Sequence, residues 1–137
     1  MELPSVGLEN TVPPSNLLCT ESFEFEKFGR TFDFALAQSL FTHLPLNSIR
    51  LCLSKLSPVM PQGGKFFATF FERPEHLLES EPLQHARGNT TTYAWRDPYH
   101  YQPREFAWIV ESLPWRMSYI GEWNHPRDQK MILFERL

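Results

Sequence analysis

The residues with chemistry to offer gather at a few places in this 137-residue chain. Gln38, Ser39 and His43 follow the apolar run Phe32-Asp33-Phe34-Ala35-Leu36-Ala37. After Asp33 that run is apolar on both sides, which predicts a strand covered on two faces. The carboxyl end of such a strand is where open α/β sheets hold their ligands. An unperturbed histidine titrates near neutrality, so His43 can act there as a general base. It can also be a structural histidine that orients the loop before Pro45. Further on, Tyr93, Trp95, Tyr99, His100 and Tyr101 form an aromatic-rich stretch. These side chains could wall a small molecule or pack as the underside of a long insert.

Other chemistries find no support. His76, His85, His100 and His125 lack the H-x-x-x-H spacing of a helical metal site, so no metal is expected. No Gly-x-Ser-x-Gly nucleophile turn occurs. Cys19 and Cys52 fit neither a zinc pattern nor a disulfide framework, and a reducing cytoplasm is the simplest setting. The net charge of -3, without a basic stripe, argues against a nucleic-acid partner. No apolar run is long enough to span a membrane. Met1 to Pro14 lacks the basic flank and apolar run of a signal peptide.

The elements that must position these residues read as one α/β domain over residues 1–137. Residues 1–15, with Pro4, Pro13 and Pro14, read as a loop remnant, and Leu17-Leu18-Cys19 as a short strand. Asn47 can cap a helix to about Ser57, with Ile49, Cys52, Leu53 and Leu56 as its apolar stripe. Pro58 stops it. Pro61-Gln62-Gly63-Gly64 is a turn, and residues 65–71 are a strand buried on both faces. Strand, helix, strand makes a right-handed parallel unit. Residues 72–102 are a long insert of the kind that often carries function. Pro103 suits the first turn of a helix, with Phe106, Ile109, Val110 and Leu113 on one stripe. Residues 115–123 and 130–135 read as an antiparallel hairpin.

Three segments sharpen this order. Phe32-Asp33-Phe34-Ala35-Leu36-Ala37-Gln38-Ser39-Leu40-Phe41-Thr42-His43-Leu44 resembles the fourth strand and following loop of class I S-adenosylmethionine-dependent methyltransferases. Leu56 through Phe70 resembles that family's turn through Pro-Gly-Gly into its fifth strand. Tyr99-His100-Tyr101, then Pro103 and Phe106, resembles the entry to its last helix. The resemblance covers most of residues 17–137 and implies a partial Rossmann-like fold, a mainly parallel sheet with a C-terminal antiparallel hairpin. The complete family sheet runs 3-2-1-4-5-7-6, and this chain is similar to its second half.

The resemblance implies S-adenosylmethionine as cofactor and a small molecule as methyl acceptor. It places Glu21, Ser22 and Phe23 beside the adenine, where a carboxylate can accept from the exocyclic amine and a ring can cover the base. It places Gln38 and Ser39 near the sulfonium. Methyl transfer often needs only proximity and alignment, which favours the structural reading of His43. The family's Gly-rich first loop has no counterpart: six glycines occur and no two form Gly-x-Gly. Glu9 stands too close to Leu17 to end a second parallel strand and reads as loop. The resemblance thus leaves the family's first two strands without a counterpart, which makes the Phe32–Ala37 strand an unblunted edge that invites association, including with another copy of the chain. The rival expectations are a non-catalytic or partner-completed fragment and a small-molecule binding module.

Overall fold

The computed structural model describes residues 11–137. Most of the 1–15 segment, including Glu9, therefore lies outside the described residues. In chain order the elements are β1 (Phe34–Ala37), α1 (Leu46–Leu56), β2 (Lys65–Glu72), β3 (Leu83–Gln84), β4 (Thr91–Thr92), β5 (His100–Tyr101), α2 (Pro103–Ile109), β6 (Trp115–Gly121) and β7 (Lys130–Arg136). The sheet runs β1-β2-β7-β6, with β5 pairing the end of β2. β1 and β5 lie parallel to β2, while β7 is antiparallel to both β2 and β6. That is the 4-5-7-6 half of the expected order, closed by the expected hairpin.

The core lies on one face. The i, i+3, i+4, i+7 stripe of α1 holds, with Ile49, Cys52, Leu53 and Leu56 all buried. Pro45 takes the N-cap position instead of Asn47, whose amide oxygen accepts the Ser48 N–H at 3.0 Å. Opposite the helix, Phe66, Ala68 and Phe70 of β2 and Ile132 and Phe134 of β7 are at most 3% exposed. Phe41 and Phe106 fill the space between, their rings 6.0 Å apart. Trp115 packs at the margin and donates its indole N–H to the Leu53 carbonyl at 2.9 Å, so its one polar atom is satisfied. Arg50 ties the helices together through the Ile109 carbonyl and the Ser112 hydroxyl.

The turn before β2 needs both of its glycines. Gly63 sits at φ +82, a region that a side chain disfavours. A Cβ on Gly64 would lie 2.9 Å from the Pro61 carbonyl oxygen.

Four expectations need correction. Leu17–Cys19 is not a strand: Leu17 is extended, but it only leaves a 3₁₀ turn at Pro14–Asn16 and joins no sheet. The strand foreseen from Phe32 starts at Phe34 and is covered on one face only. Phe34 is 71% exposed and Leu36 63%. Leu36, Phe67 and Leu133 share one row across β1, β2 and β7 on that open face. The 72–102 insert is not a plain loop: β3 and β4 form a small hairpin, and β5 extends the main sheet. The helix from Pro103 ends at Ile109, with Val110 as its cap, short of Leu113.

Candidate functional site

The turn that follows β1 stands at the carboxyl ends of the parallel strands. Its geometry is set by two distant segments. The Ser39 N–H donates to Thr69 Oγ1 at 2.8 Å, and the Ser39 hydroxyl donates to Gln129 Oε1 at 3.1 Å. Thr69 Oγ1 donates to the same Gln129 oxygen at 2.6 Å. Thr42 closes the turn by donating to the Ser39 carbonyl at 2.9 Å. Ser39 has φ +58, unusual for a residue with a Cβ, and these bonds hold it there. Ser39 therefore shapes the turn with its hydroxyl turned inward, and Gln38 is the neighbour left exposed at its rim.

On a separate segment, Glu21 and Ser22 are exposed and Phe23 is half-buried against the core. Phe23 also has positive φ, at +57. The Ser22 hydroxyl donates to Glu24 at 3.2 Å, which leaves Glu21 as the outward carboxylate. No hydrogen bond or ring contact joins this segment to Gln38 or Ser39 among the described residues.

His43 lies in the short 3₁₀ turn after Ser39, and its Nδ1 is 2.7 Å from the Asp97 carboxylate. Both side chains are more than half exposed. A carboxylate on one ring nitrogen fixes the tautomer and leaves the other nitrogen free to take a proton. The same pair also fastens the turn to the insert.

The aromatic stretch divides. Tyr93 and Trp95 meet edge to face at 5.3 Å, with the Arg96 guanidinium 4.0 Å over the Tyr93 ring. Trp95 is 53% exposed, and Tyr99 is half-buried. Tyr101 belongs to the core: it donates to the Leu44 carbonyl at 2.6 Å and packs edge-on to Phe106. Burial pushes its hydroxyl well above the usual tyrosine range. His100 is 1% exposed. Burial, then the nearby charges of Arg73 and His85, push its pKa down to about 4. It is the end of a buried polar string, His85 Nε2 to Thr92 Oγ1 at 2.8 Å and Thr92 Oγ1 to His100 Nδ1 at 2.9 Å.

Sequence reading missed Thr69, Gln129 and the His85–Thr92–His100 string. Thr69 carries a signal in hindsight, a hydroxyl inside an otherwise apolar strand. Gln129 carries none, because its partners stand 60 and 90 residues away.

Comparison with solved structures gives a common answer. DesVI of Streptomyces venezuelae superposes with a TM-score of 0.63 at 11% identity, covering 100% of this chain and 72% of its own. The sugar N-methyltransferase KedS8 of Streptoalloteichus gives 0.63 at 11% identity, over 96% of this chain and 66% of its own. This is the fold of class I S-adenosylmethionine-dependent methyltransferases. Magnesium protoporphyrin IX methyltransferase of Synechocystis, with bound S-adenosylhomocysteine, gives 0.58 at 8% identity. It is matched over 97% of this chain and 57% of its own. The chain thus spans between 57% and 72% of these methyltransferases. No known sequence family and no curated protein matches it. Among the described residues, no helix is long and apolar enough to cross a membrane, and no cluster of three or more His, Cys, Asp or Glu could hold a metal.

Groups of the kind that can meet a nucleoside lie on two separate segments: Glu21 offers an outward carboxylate and Phe23 a ring, and the pinned turn at Gln38 and Ser39 a preset backbone. No Gly-x-Gly, which lets a backbone approach a ligand closely, occurs in the sequence.

Proposed function

We propose that this chain is the acceptor-side portion of an S-adenosylmethionine-dependent methyltransferase for small molecules. Its function is completed when a polypeptide carrying a Gly-rich first strand docks along the free edge of β1. The observation that carries this reading is the preset turn at Ser39, at the carboxyl end of β1, within a 4-5-7-6 sheet. The cofactor, when bound, supplies an electrophilic methyl group on a sulfonium. Glu21 and Phe23 hold and cover the adenine, and Gln38 lines the approach to the reacting centre. Tyr93, Trp95 and Tyr99 wall the acceptor. His43, oriented by Asp97, takes the proton that the acceptor loses.

Phe34 and Leu36 support the docking part of the reading. They are exposed apolar residues beside a strand edge that is unpaired among the described residues, on the side where the family sheet continues. Crystals soaked with S-adenosylhomocysteine test the cofactor part: density bordered by Glu21, Phe23, Gln38 and Ser39 is expected, and density elsewhere sinks it. In the completed enzyme, His43→Ala should lower kcat by about a hundredfold or more if the histidine accepts the proton. An unchanged kcat would return His43 to a purely structural part.

A further inference from the structure

A second site opens where β2 leaves the sheet. A cleft of about 660 Å³ lies between Arg73, the β3 strand with His85, the start of α2 at Gln102 and Arg104, and Lys130 of β7. Arg73 is its unusual member. Its side chain is 6% exposed, and a guanidinium is a cation with five N–H donors and no acceptor. A buried cation is costly unless a close, hydrogen-bonded anion compensates it. Arg73 donates to the Leu77 carbonyl at 2.9 Å. The one carboxylate within ion-pair reach, among the described residues, is Glu79 at 3.6 Å. That is too long for a hydrogen bond, and the Glu79 side chain is 80% exposed.

The other charges at the cleft are otherwise engaged. Lys130 meets Glu122 at 2.7 Å and Asp128 at 3.2 Å, and Arg87 meets the same two carboxylates. Those two cations and two anions cancel. Glu72 accepts the Tyr119 hydroxyl at 2.8 Å. Glu75 and Arg104 are both exposed and oppose each other in sign. His100 stays neutral near pH 7, so it adds no second charge beside Arg73. Its Nε2 is buried without a partner. A guanidinium held in place, with a loosely seated carboxylate before it, is a receptor for an oxyanion that can accept two parallel N–H bonds.

We propose that Arg73 anchors an oxyanion, a carboxylate or a phosphate, on the small molecule that binds here, and that Glu79 holds its place until that group arrives. The assignment of this molecule as the methyl acceptor rests on the methyltransferase reading above. Arg73 stands four residues beyond Thr69, the residue that pins Ser39. At strand rise an acceptor reaching from one to the other spans roughly 13 Å. That separation favours an extended acceptor, such as an aromatic acid or a sugar phosphate.

The test is a titration followed by NMR on the Arg73 side-chain N–H, without cofactor, using inorganic phosphate in one arm and benzoate in the other. Saturable shifts are expected in at least one arm, and which arm responds identifies the anion. Arg73→Gln should abolish them. Glu79→Gln, at an exposed position that leaves the fold intact, should tighten binding by roughly two- to fivefold, as removal of a surface charge competitor does. Should Arg73→Gln fail to fold, the Glu79→Gln result decides. No saturable shift in either arm, or unchanged affinity in Glu79→Gln, overturns the proposal. Because the cofactor is absent, anion binding is judged separately from methyl transfer. The nucleoside is tested separately, on the chain completed by its Gly-rich partner, and failure there would retire the methyltransferase reading and keep this site.

Discussion

Two faces of one strand meet different surroundings. On one side of β2, Phe66, Ala68 and Phe70 lie under α1 and α2 and are almost wholly buried. On the other side, Phe67 is half-buried, and its row continues to Leu36 of β1, which is 63% exposed. The carboxyl end of this second side is sheltered, where the His85 ring of the β3–β4 hairpin region packs at a tilt against Phe71, with 4.5 Å between centroids. Both sides carry large apolar residues, with Lys65 and Thr69 also on the second, so the presence of apolar side chains does not separate them. What separates them is whether helices of the described chain return over that side. A parallel sheet is normally covered on both faces, and an apolar face left open marks a surface that another element uses.

The sharpest way to break this comparison is to truncate one residue on each side. Phe106→Ala, in the covered core, should cost about 3–5 kcal/mol of stability, read from urea unfolding. Leu36→Ser, on the open face, should cost less than about 1 kcal/mol. Equal losses would show that the open face is packed after all.

Acid probes the sheltered end of the open face. In the folded chain His100 titrates near about 4, against 6.5 when unfolded. Between those values the unfolded chain binds more protons, so stability falls as pH drops from 6.5 through 4. His85 is shifted down as well, by burial first, and adds to the same slope. The urea midpoint should decline across that window, and His100→Gln should flatten the decline. An identical slope in the variant would mean that the buried string is not what acid attacks.

Association sharpens the comparison further. The isolated chain should form dimers or larger species in light scattering, and paired Phe34→Lys and Leu36→Lys changes should leave a monomer with its unfolding midpoint nearly unchanged. A wild-type monomer would contradict this. The smallest effect belongs to the Arg87–Glu122–Lys130–Asp128 network, whose Glu122 carboxyl is held down to about 2 chiefly by hydrogen bonds from Lys130 and Arg87. Arg87→Ala should shift the melting temperature barely beyond error, and less still in high salt. A large shift there would make surface charge, not face burial, the main determinant.

Local patterns were legible in the sequence. The stripe of α1, the Pro-Gly-Gly turn, β2 and the terminal hairpin each follow from periodicity or turn residues within one short window. The strand order followed from the resemblance of three such windows. Contacts between distant windows were not legible. Leu36 looks as buried as Ala68 in sequence because the residues that would cover it are not its neighbours along the chain. Leu17–Cys19 has strand composition, yet it follows a 3₁₀ turn and pairs with no strand of the described sheet. The string through Thr92 and the tie at Gln129 depend on where the insert and the hairpin fold back, which no local spacing records. His43 was named as a candidate base, but its carboxylate partner Asp97 sits 54 residues away.

The position of β7 has a consequence for biosynthesis. It lies between β2 and β6 and is made after both. As the chain leaves the ribosome, the first strand–helix–strand unit emerges with Phe66 and Phe70 ready but the neighbouring strand unmade. Ser39 cannot be clamped until residue 129 has appeared, 90 residues later. The turn at Ser39 is therefore among the last features to set. During translation the nascent chain carries one unpaired flank on β2, where β7 will pair, and another on β1, which is when a holdase or a docking partner has most to protect.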